Sequence, residues 1–301
     1  MSRMVGRPVV VGLDGSEPGR QAARWAAAEA SRRCVGLRLV HAVNVAPYTP
    51  AAGYIPPQGL FEALEDEGRR WLLEAKVDIG AAYPALPIDV AVQAGHPVQV
   101  LIARSEKAGL VVLGASGAGG LAGALAGSTA IALAAHGRCP VAVVRGPGRG
   151  EPPAEEGPVV VGVDGSPASE AAVAIAFEEA SLRGAQLLAV HAWTGFESDS
   201  EYSTARRFAD DWTSIHAAER EVLAERLAGW QEKYPDVEVR RLVARRRPVP
   251  CLLRYAADAR LLVVGSRGRG GFTGMLLGST SRTLIQHAAC PVIVARPAAG
   301  G

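Results

Sequence analysis

The chain has 301 residues, 49% hydrophobic, 21% charged and 5% aromatic. That is a globular composition, too apolar for a disordered chain. At ~100–200 residues per domain it is long enough for about two domains. Lys and Arg number 32 against 30 Asp and Glu, a formal charge of +2, without the basic excess that a nucleic-acid partner calls for. Four cysteines and no CxxC exclude a disulfide scaffold. The first residues lack the long apolar run and small-residue cleavage site of a signal peptide. The most membrane-like stretch, 121–135, is interrupted by Gly123, Gly127, Ser128 and Thr129, whereas a spanning helix wants ~20 apolar residues. The expectation is a cytoplasmic protein with reduced thiols and no membrane partner.

The chain repeats itself at about half its length. VVVGLDGS at 9–16 returns as VVVGVDGS at 159–166, LVHAV at 39–43 as AVHAW at 189–193, and HGRCPVAVVR at 136–145 as HAACPVIVAR at 287–296. Order is kept and the offset stays near 150, which predicts domains over 1–146 and 159–301. Between them, 147–158 is rich in Gly, Pro and Glu and reads as a linker.

In chain order, each half opens with a short valine run, as expected of a strand buried on both faces. Ala- and Glu-rich helices follow at 18–33 and 167–183, then second strands at 37–43 and 186–192. A variable stretch leads to a long amphipathic helix, whose Leu60, Leu64, Trp71, Ala75 and Ile79 recur at three- and four-residue spacings. Ile88, Val90 and Val92 alternate, which suits an edge strand. Third helices start near Pro97 and Pro248, where proline is tolerated in a first turn. Fourth strands span 110–113 and 261–264. A glycine-rich loop and a helix from Gly127 or Gly278 lead to fifth strands at 140–144 and 291–295. Alternating strands and helices predict a mainly parallel sheet covered on both faces. The apolar fifth strands predict that the two halves pack through those edges.

The loop after the fourth strand carries the chemistry. Gly114-x2-Gly117-x9-Gly127-Ser128 recurs as Gly265-x2-Gly268-x9-Gly278-Ser279. Glycines let a backbone approach a ligand closely. A helix N-terminus adds unpaired N–H groups and a positive dipole end. Together they predict an anion site, with polyphosphate the expected anion. Asp14 and Asp164 end the first strands. A carboxylate there repels phosphate and fits a hydroxyl or amine donor better, or else the bland role of a helix-capping turn beside Ser16 and Ser166. No GxxxxGK[ST] occurs and no GxGxxG follows the first strand, which excludes the P-loop and dinucleotide fingerprints.

This arrangement, in two copies, resembles the ATP-binding branch of the universal stress protein family in its tandem form, over nearly the whole chain. The resemblance implies two Rossmann-like or flavodoxin-like α/β domains, each a five-stranded sheet of order 3-2-1-4-5 with helices on both faces. It also implies ATP as ligand, with Mg²⁺ carried by the phosphates, and a regulatory role in stress or dormancy without defined turnover. Carried over by motif position, Asp14 and Asp164 contact the adenosine moiety, and the backbone at Ala42 and Ala192 meets adenine. Gly114, Gly117, Gly127 and Ser128 hold phosphates in the first half, and Gly265, Gly268, Gly278 and Ser279 in the second. Gly12, Leu13, Leu113 and Thr129 complete the first set, and Gly162, Val163, Val264 and Thr280 the second. The pattern often continues with another hydroxyl two residues after the serine, which Ser281 supplies and Ala130 does not.

The second loop, with Arg267 and Arg269, is charged where the first is not. Charge-assisted bonds to phosphate are about twice as strong as neutral ones, which predicts the tighter site in the second half. His41 and His191 read as satisfied core histidines, and His136 and His287 as helix-closing residues that favour the dipole. Cys139 and Cys290 read as buried small side chains, and Arg245, Arg246 and Arg247 as a solvated edge. No metal-ligand spacing is present. A homodimer and an unidentified protein partner complete the expectation. Two other readings stand beside it: an ATP-using hydrolase or adenylating enzyme of the same superfold, and a nucleotide-free interaction scaffold. The first lacks an evident acid, base or catalytic lysine near the loop. The second sits poorly with intact glycines in both copies.

Overall fold

The computed structural model describes residues 6–44, 59–117, 127–146, 151–193, 209–269 and 276–297. The glycine-loop stretches 118–126 and 270–275 lie outside the described residues, as do 147–150 of the linker. The first half runs β1 (Val9–Gly12), α1 (Glu17–Arg32), β2 (Leu37–Val43), α2 (Leu60–Ala82), β3 (Ile88–Ala94), α3 (Pro97–Ser105), β4 (Leu110–Gly114), α4 (Ser128–His136) and β5 (Val141–Val144). The second repeats it as β6 (Val159–Gly162), α5 (Pro167–Arg183), β7 (Leu187–Trp193), α6 (Ala209–Lys233), β8 (Val239–Arg245), α7 (Pro248–Ala256), β9 (Leu261–Gly265), α8 (Ser279–His287) and β10 (Val292–Ala295).

Strand residues point alternately to the two faces of a sheet, and this sequence makes both faces apolar. Val9 and Val11 join a core with α1 and α2, while Val10 joins another with α3 and α4. The second half does the same, and each core runs through both halves. The reason is one continuous ten-stranded sheet, ordered β3-β2-β1-β4-β5-β10-β9-β6-β7-β8. Each half has the expected order 3-2-1-4-5. The halves then join edge to edge, because β5 and β10 pair antiparallel with Ala142 opposite Ile293. Burying each such valine or isoleucine is worth ~1.5–3 kcal/mol. An unpaired apolar β5 edge would also invite aggregation. The expected packing through the fifth strands is thus a shared hydrogen-bonded ladder.

Helix ends follow local rules. Ser16 caps α1 by accepting from the Gly19 amide at 3.2 Å, and Ser166 caps α5 from the Ser169 amide at 3.2 Å. In α2 it is Leu72, not Trp71, that is fully buried with Ala75 and Ile79. Trp71 instead lies edge-on to His41, ring centroids 5.2 Å apart, and against Gly15. Cys139 and Cys290 are buried, and burial pushes both thiols up to about 12.

Across the seam, α1 meets α5 through a buried charge quartet. Glu29 of α1 with Arg33 just past its end, and Glu179 and Arg183 of α5, occupy equivalent positions in the duplication. Arg33 bonds Glu29 and Glu179, and Arg183 bonds Glu179 and also Glu29, the latter at 2.6 Å. Burial raises the Glu29 carboxyl, but Arg183 and Arg33 outweigh it and hold Glu29 down to about 2. Burial and the Glu29 charge push Glu179 up to about 7 against the same two arginines. The two carboxyls titrate as one coupled unit.

Candidate nucleotide cleft

In parallel sheets, ligands bind beyond the carboxyl ends of strands where the connection order reverses. Here that point lies between β1 and β4 in the first half and between β6 and β9 in the second. A cleft of about 500 Å³ opens at the first of these. Every first-half residue expected to meet the nucleotide lines it: Gly12 at the end of β1 with Leu13 and Asp14 after it, Ala42 in β2, Leu113 and Gly114 at the end of β4 with Gly117 beyond, and Gly127, Ser128 and Thr129 at the start of α4. The volume falls in the usual range for small-molecule sites, about 300–1,000 Å³.

Sequence reasoning missed the other wall. Val40, Pro97 and Leu101 also line the cleft and supply an apolar surface for a flat base. The start of α3 at Pro97 was legible, but not that it faces the cleft. Gly19 and Ser116 were missed as well.

The Asp14 carboxylate accepts from the Ser16 amide at 3.1 Å and the Ser16 hydroxyl at 2.5 Å through Oδ1. A Cβ at Gly117 would stand 2.6 Å from Asp14 Oδ2. Asp164 repeats this, accepting from Ser166 N at 2.9 Å and Arg269 N at 3.0 Å, with a Cβ at Gly268 only 2.5 Å from its Oδ2. The turn-forming role of these aspartates is therefore real, and it coexists with their place in the cleft wall. It also explains Gly117 and Gly268, because the neighbouring carboxylate leaves no room for a side chain. The chain's own backbone likewise fills the space beside Gly114, where a Cβ would meet the Pro18 carbonyl at 2.6 Å.

Gly127 and Gly278 differ. Among the described residues, a Cβ at Gly127 meets nothing nearer than the Ala115 carbonyl and the Gly117 amide nitrogen, both at 3.9 Å. At Gly278 no described residue comes closer than 3.5 Å. Backbone torsions do not demand glycine either, with φ of −58° and −69°. The open space lies between the loop amide and the first turn of α4 or α8. Neither helix has a side-chain N-cap, unlike α1 and α5, so the first-turn N–H groups receive no side-chain oxygen from the cap. A side chain at 127 would fill the cradle where an anion meets those amides.

The histidines hold the turns. His41 Nδ1–H donates to the Leu13 carbonyl at 2.7 Å, and His191 Nδ1–H to the Val163 carbonyl at 2.7 Å. His191 Nε2 also lies 3.0 Å from Glu219. Both anchor their turns through Nδ1, but His191 Nε2, buried beside Glu219, makes no hydrogen bond among the described residues, so the expectation of a satisfied histidine does not hold at that atom. Among the described residues no group of three or more His, Cys, Asp or Glu could hold a metal ion, and no helix is long and apolar enough to cross a membrane.

The second cleft encloses only about 90 Å³. Gly162, Val163, Asp164, Ala192, Val264, Gly265, Arg267, Gly268, Thr280 and Ser281 line it. Gly278 and Ser279 stand at the start of α8 but not among those lining residues, and neither does Arg269. Three duplicated positions carry larger side chains: Gly19 becomes Ser169, Ser116 becomes Arg267 and Ala130 becomes Ser281. The loop is also latched to the β6–α5 turn. Ser166 Oγ donates to the Arg267 carbonyl at 3.2 Å, and the Arg269 guanidinium lies beside Gly165 together with that of Arg226. Ser281 Oγ donates to the Gly265 carbonyl at 2.6 Å, which engages the hydroxyl read as a phosphate donor. Of the two arginines expected to favour this half, the structure brings Arg267 alone to the cleft.

Fold and cleft together define a class: tandem doubly wound α/β domains with a ligand cleft at each switch point. Within that class the chain belongs to the universal stress protein family, whose pattern matches residues 6–145 and 157–296. It is 44% identical over 293 residues to universal stress protein Rv2005c of Mycobacterium tuberculosis, covering 96% of each chain. It is 41% identical to universal stress protein Rv2623 of the same organism, again over 96% of each. A universal stress protein from Archaeoglobus fulgidus shares the fold, with a TM-score of 0.66 and 18% identity over 98% of both chains.

Proposed function

We propose that this universal stress protein binds ATP in its N-terminal cleft and acts as a regulatory nucleotide sensor in stress or dormancy. The observation that carries the reading is the cradle at Gly127: a glycine that neither torsion nor the packing of the described residues requires, facing a loop amide and an uncapped helix start. Polyphosphate fits there, with Ser128 and Thr129 hydroxyls beside it. Asp14 at the other end suits a ribose hydroxyl, and the apolar wall of Val40, Pro97 and Leu101 suits adenine with the Ala42 backbone at its edge. Any Mg²⁺ rides on the phosphates. The described cleft lining contains no lysine and no carboxylate besides Asp14, and Asp14 is already engaged by Ser16. Turnover is therefore slow, and the chain acts as a binder rather than an enzyme.

Mass spectrometry of nucleotide released from protein purified without added ligand tests this. Adenine nucleotide at close to one per chain is expected. No released nucleotide, together with no calorimetric response to millimolar ATP, overturns the reading in favour of the interaction scaffold. Many turnovers per minute of radiolabelled ATP overturn the non-enzymatic part.

A further inference from the structure

On the opposite face of the sheet lies a second cavity of about 530 Å³, between α1, α2 and the linker. Trp25, Ile79 and Tyr83 give it an apolar floor, and Pro152 and Pro153 of the linker close one side. The duplication breaks down at this spot. Arg24, Trp25 and Arg32 on α1 correspond to Ala174, Ile175 and Leu182 on α5. The equivalent place in the second half therefore lacks these side chains, while the cavity itself borrows Arg183 and Arg260 from the second half.

Its charges are not evenly matched. Arg24 is shared between Glu17 at 3.5 Å and Asp78 at 3.4 Å, which neutralises that end. Arg32 reaches Glu29 only at 3.8 Å, and Glu29 is already held by Arg33 and Arg183. Arg260 donates to two main-chain carbonyls, Gly157 at 2.7 Å and Arg183 at 3.4 Å. Glu155 lines this end and Glu156 lies close by, both exposed on the linker and each only partly offsetting the guanidiniums. Burial, with the nearby guanidiniums of Arg183 and Arg32, depresses the Arg260 pKa. An anion among these cations relieves that cost.

We propose that this linker cavity binds a small organic anion, an aromatic or apolar body bearing one carboxylate, with the body on Trp25 and Tyr83 and the carboxylate between Arg32 and Arg260. The site is separate from the nucleotide cleft and does not rest on that reading. Guanidinium and carboxylate form charge-assisted bonds, and linker prolines stiffen the wall at low entropic cost.

Calorimetry on the full chain with 2-naphthoate, and with its neutral isostere 2-naphthamide, tests the proposal. One naphthoate per chain is expected, with the amide weaker by roughly tenfold or more. Arg32→Gln and Arg260→Gln each weaken naphthoate by roughly tenfold without changing amide affinity. Arg32→Gln keeps the test sound if Arg260→Gln loosens the linker at Gly157. A soaked crystal should show the naphthoate ring beside Trp25. Equal binding of acid and amide, unchanged affinity in both arginine variants, no binding at millimolar probe, or density in the glycine-lined cleft would each overturn it.

Discussion

The two halves of this chain share a fold, a switch point and three spaced glycines, yet one cleft encloses about 500 Å³ and the other about 90 Å³. What separates them is the side chains set on a common backbone. Ser169, Arg267 and Ser281 fill space left open by Gly19, Ser116 and Ala130. A bond from Ser166 to the Arg267 carbonyl then ties the second loop to the turn it faces. The charge argument favours the second site and the space argument favours the first. Space decides, since a charge-assisted bond contributes ~1.5–3 kcal/mol only if the phosphate can reach it.

The seam offers the sharpest way to break the comparison, because there the halves contribute equivalent residues. If they were equal partners, Glu29→Gln and Glu179→Gln would cost the same. We expect Glu29→Gln to cost less than the ~3–5 kcal/mol of a fully unpaired buried charge, because Arg33 keeps Glu178 and both arginines keep Glu179, and Glu179→Gln to cost less still. The pH dependence follows from the signs. Glu179 has a folded value raised to about 7. Its contribution is full below the ordinary carboxylate range and is lost as pH rises through 7. Glu29, held at about 2, contributes fully above the ordinary range and fails only as pH falls through 2. Thermal unfolding should therefore give a higher Tm at pH 5 than at pH 8, and Glu179→Gln should flatten that difference. A wild-type Tm that rises from pH 5 to pH 8 would contradict the assignment.

Next in size is the cradle itself. Gly127→Val meets no described residue within 3.5 Å at its Cβ and should leave Tm within a degree or two, yet weaken ATP by roughly 100-fold or more, about 2.7 kcal/mol. Gly278→Val should leave the measured affinity alone. Calorimetry on both variants reads this directly, and equal losses would mean two equivalent sites. The converse experiment opens the second cleft. Arg267→Ser combined with Ser169→Gly should raise nucleotide stoichiometry from one toward two, with a gain of roughly tenfold, about 1.4 kcal/mol, at the second site. Unchanged stoichiometry would mean that something other than these side chains closes it.

Most of the fold was legible because the duplication states everything twice. Valine runs, the serine caps and the glycine spacing each recur, and two agreeing copies fix element order and the switch point. That the ten first-half candidates meet at one cleft was legible for the same reason. What the sequence concealed depends on three-dimensional packing between elements. The periodicity of α2 does not tell Leu72 from Trp71, since both fall on one broad face. Volume loss in the second cleft is spread over three single-residue changes, two of which, Arg267 and Ser281, the sequence showed only as extra phosphate donors. The quartet did leave a trace, a Glu and an Arg four residues apart at matched positions of two otherwise Ala-rich helices. It becomes meaningful only once the antiparallel β5–β10 ladder brings those helices together.

The smallest difference between the halves is also the cleanest. After α1 the chain turns through Cys34 with φ of 52°, whereas after α5 the matching Gly184 has φ of 55°. Both ends make the same bonds, Val35 N to the Ala30 carbonyl at 3.0 Å and Ala185 N to the Ala180 carbonyl at 2.9 Å. A left-handed conformation costs an L-residue ~1–2 kcal/mol. Glycine avoids that cost but loses more conformational entropy on folding, by ~0.5–1 kcal/mol. The balance predicts that Cys34→Gly stabilises by ~0.5 kcal/mol, because the exposed thiol gives up little burial. Gly184→Ala should destabilise by a similar amount. Paired urea titrations would show the two midpoints moving in opposite directions. If both fell, the Cys34 side chain would have to hold the turn through packing rather than merely tolerate it.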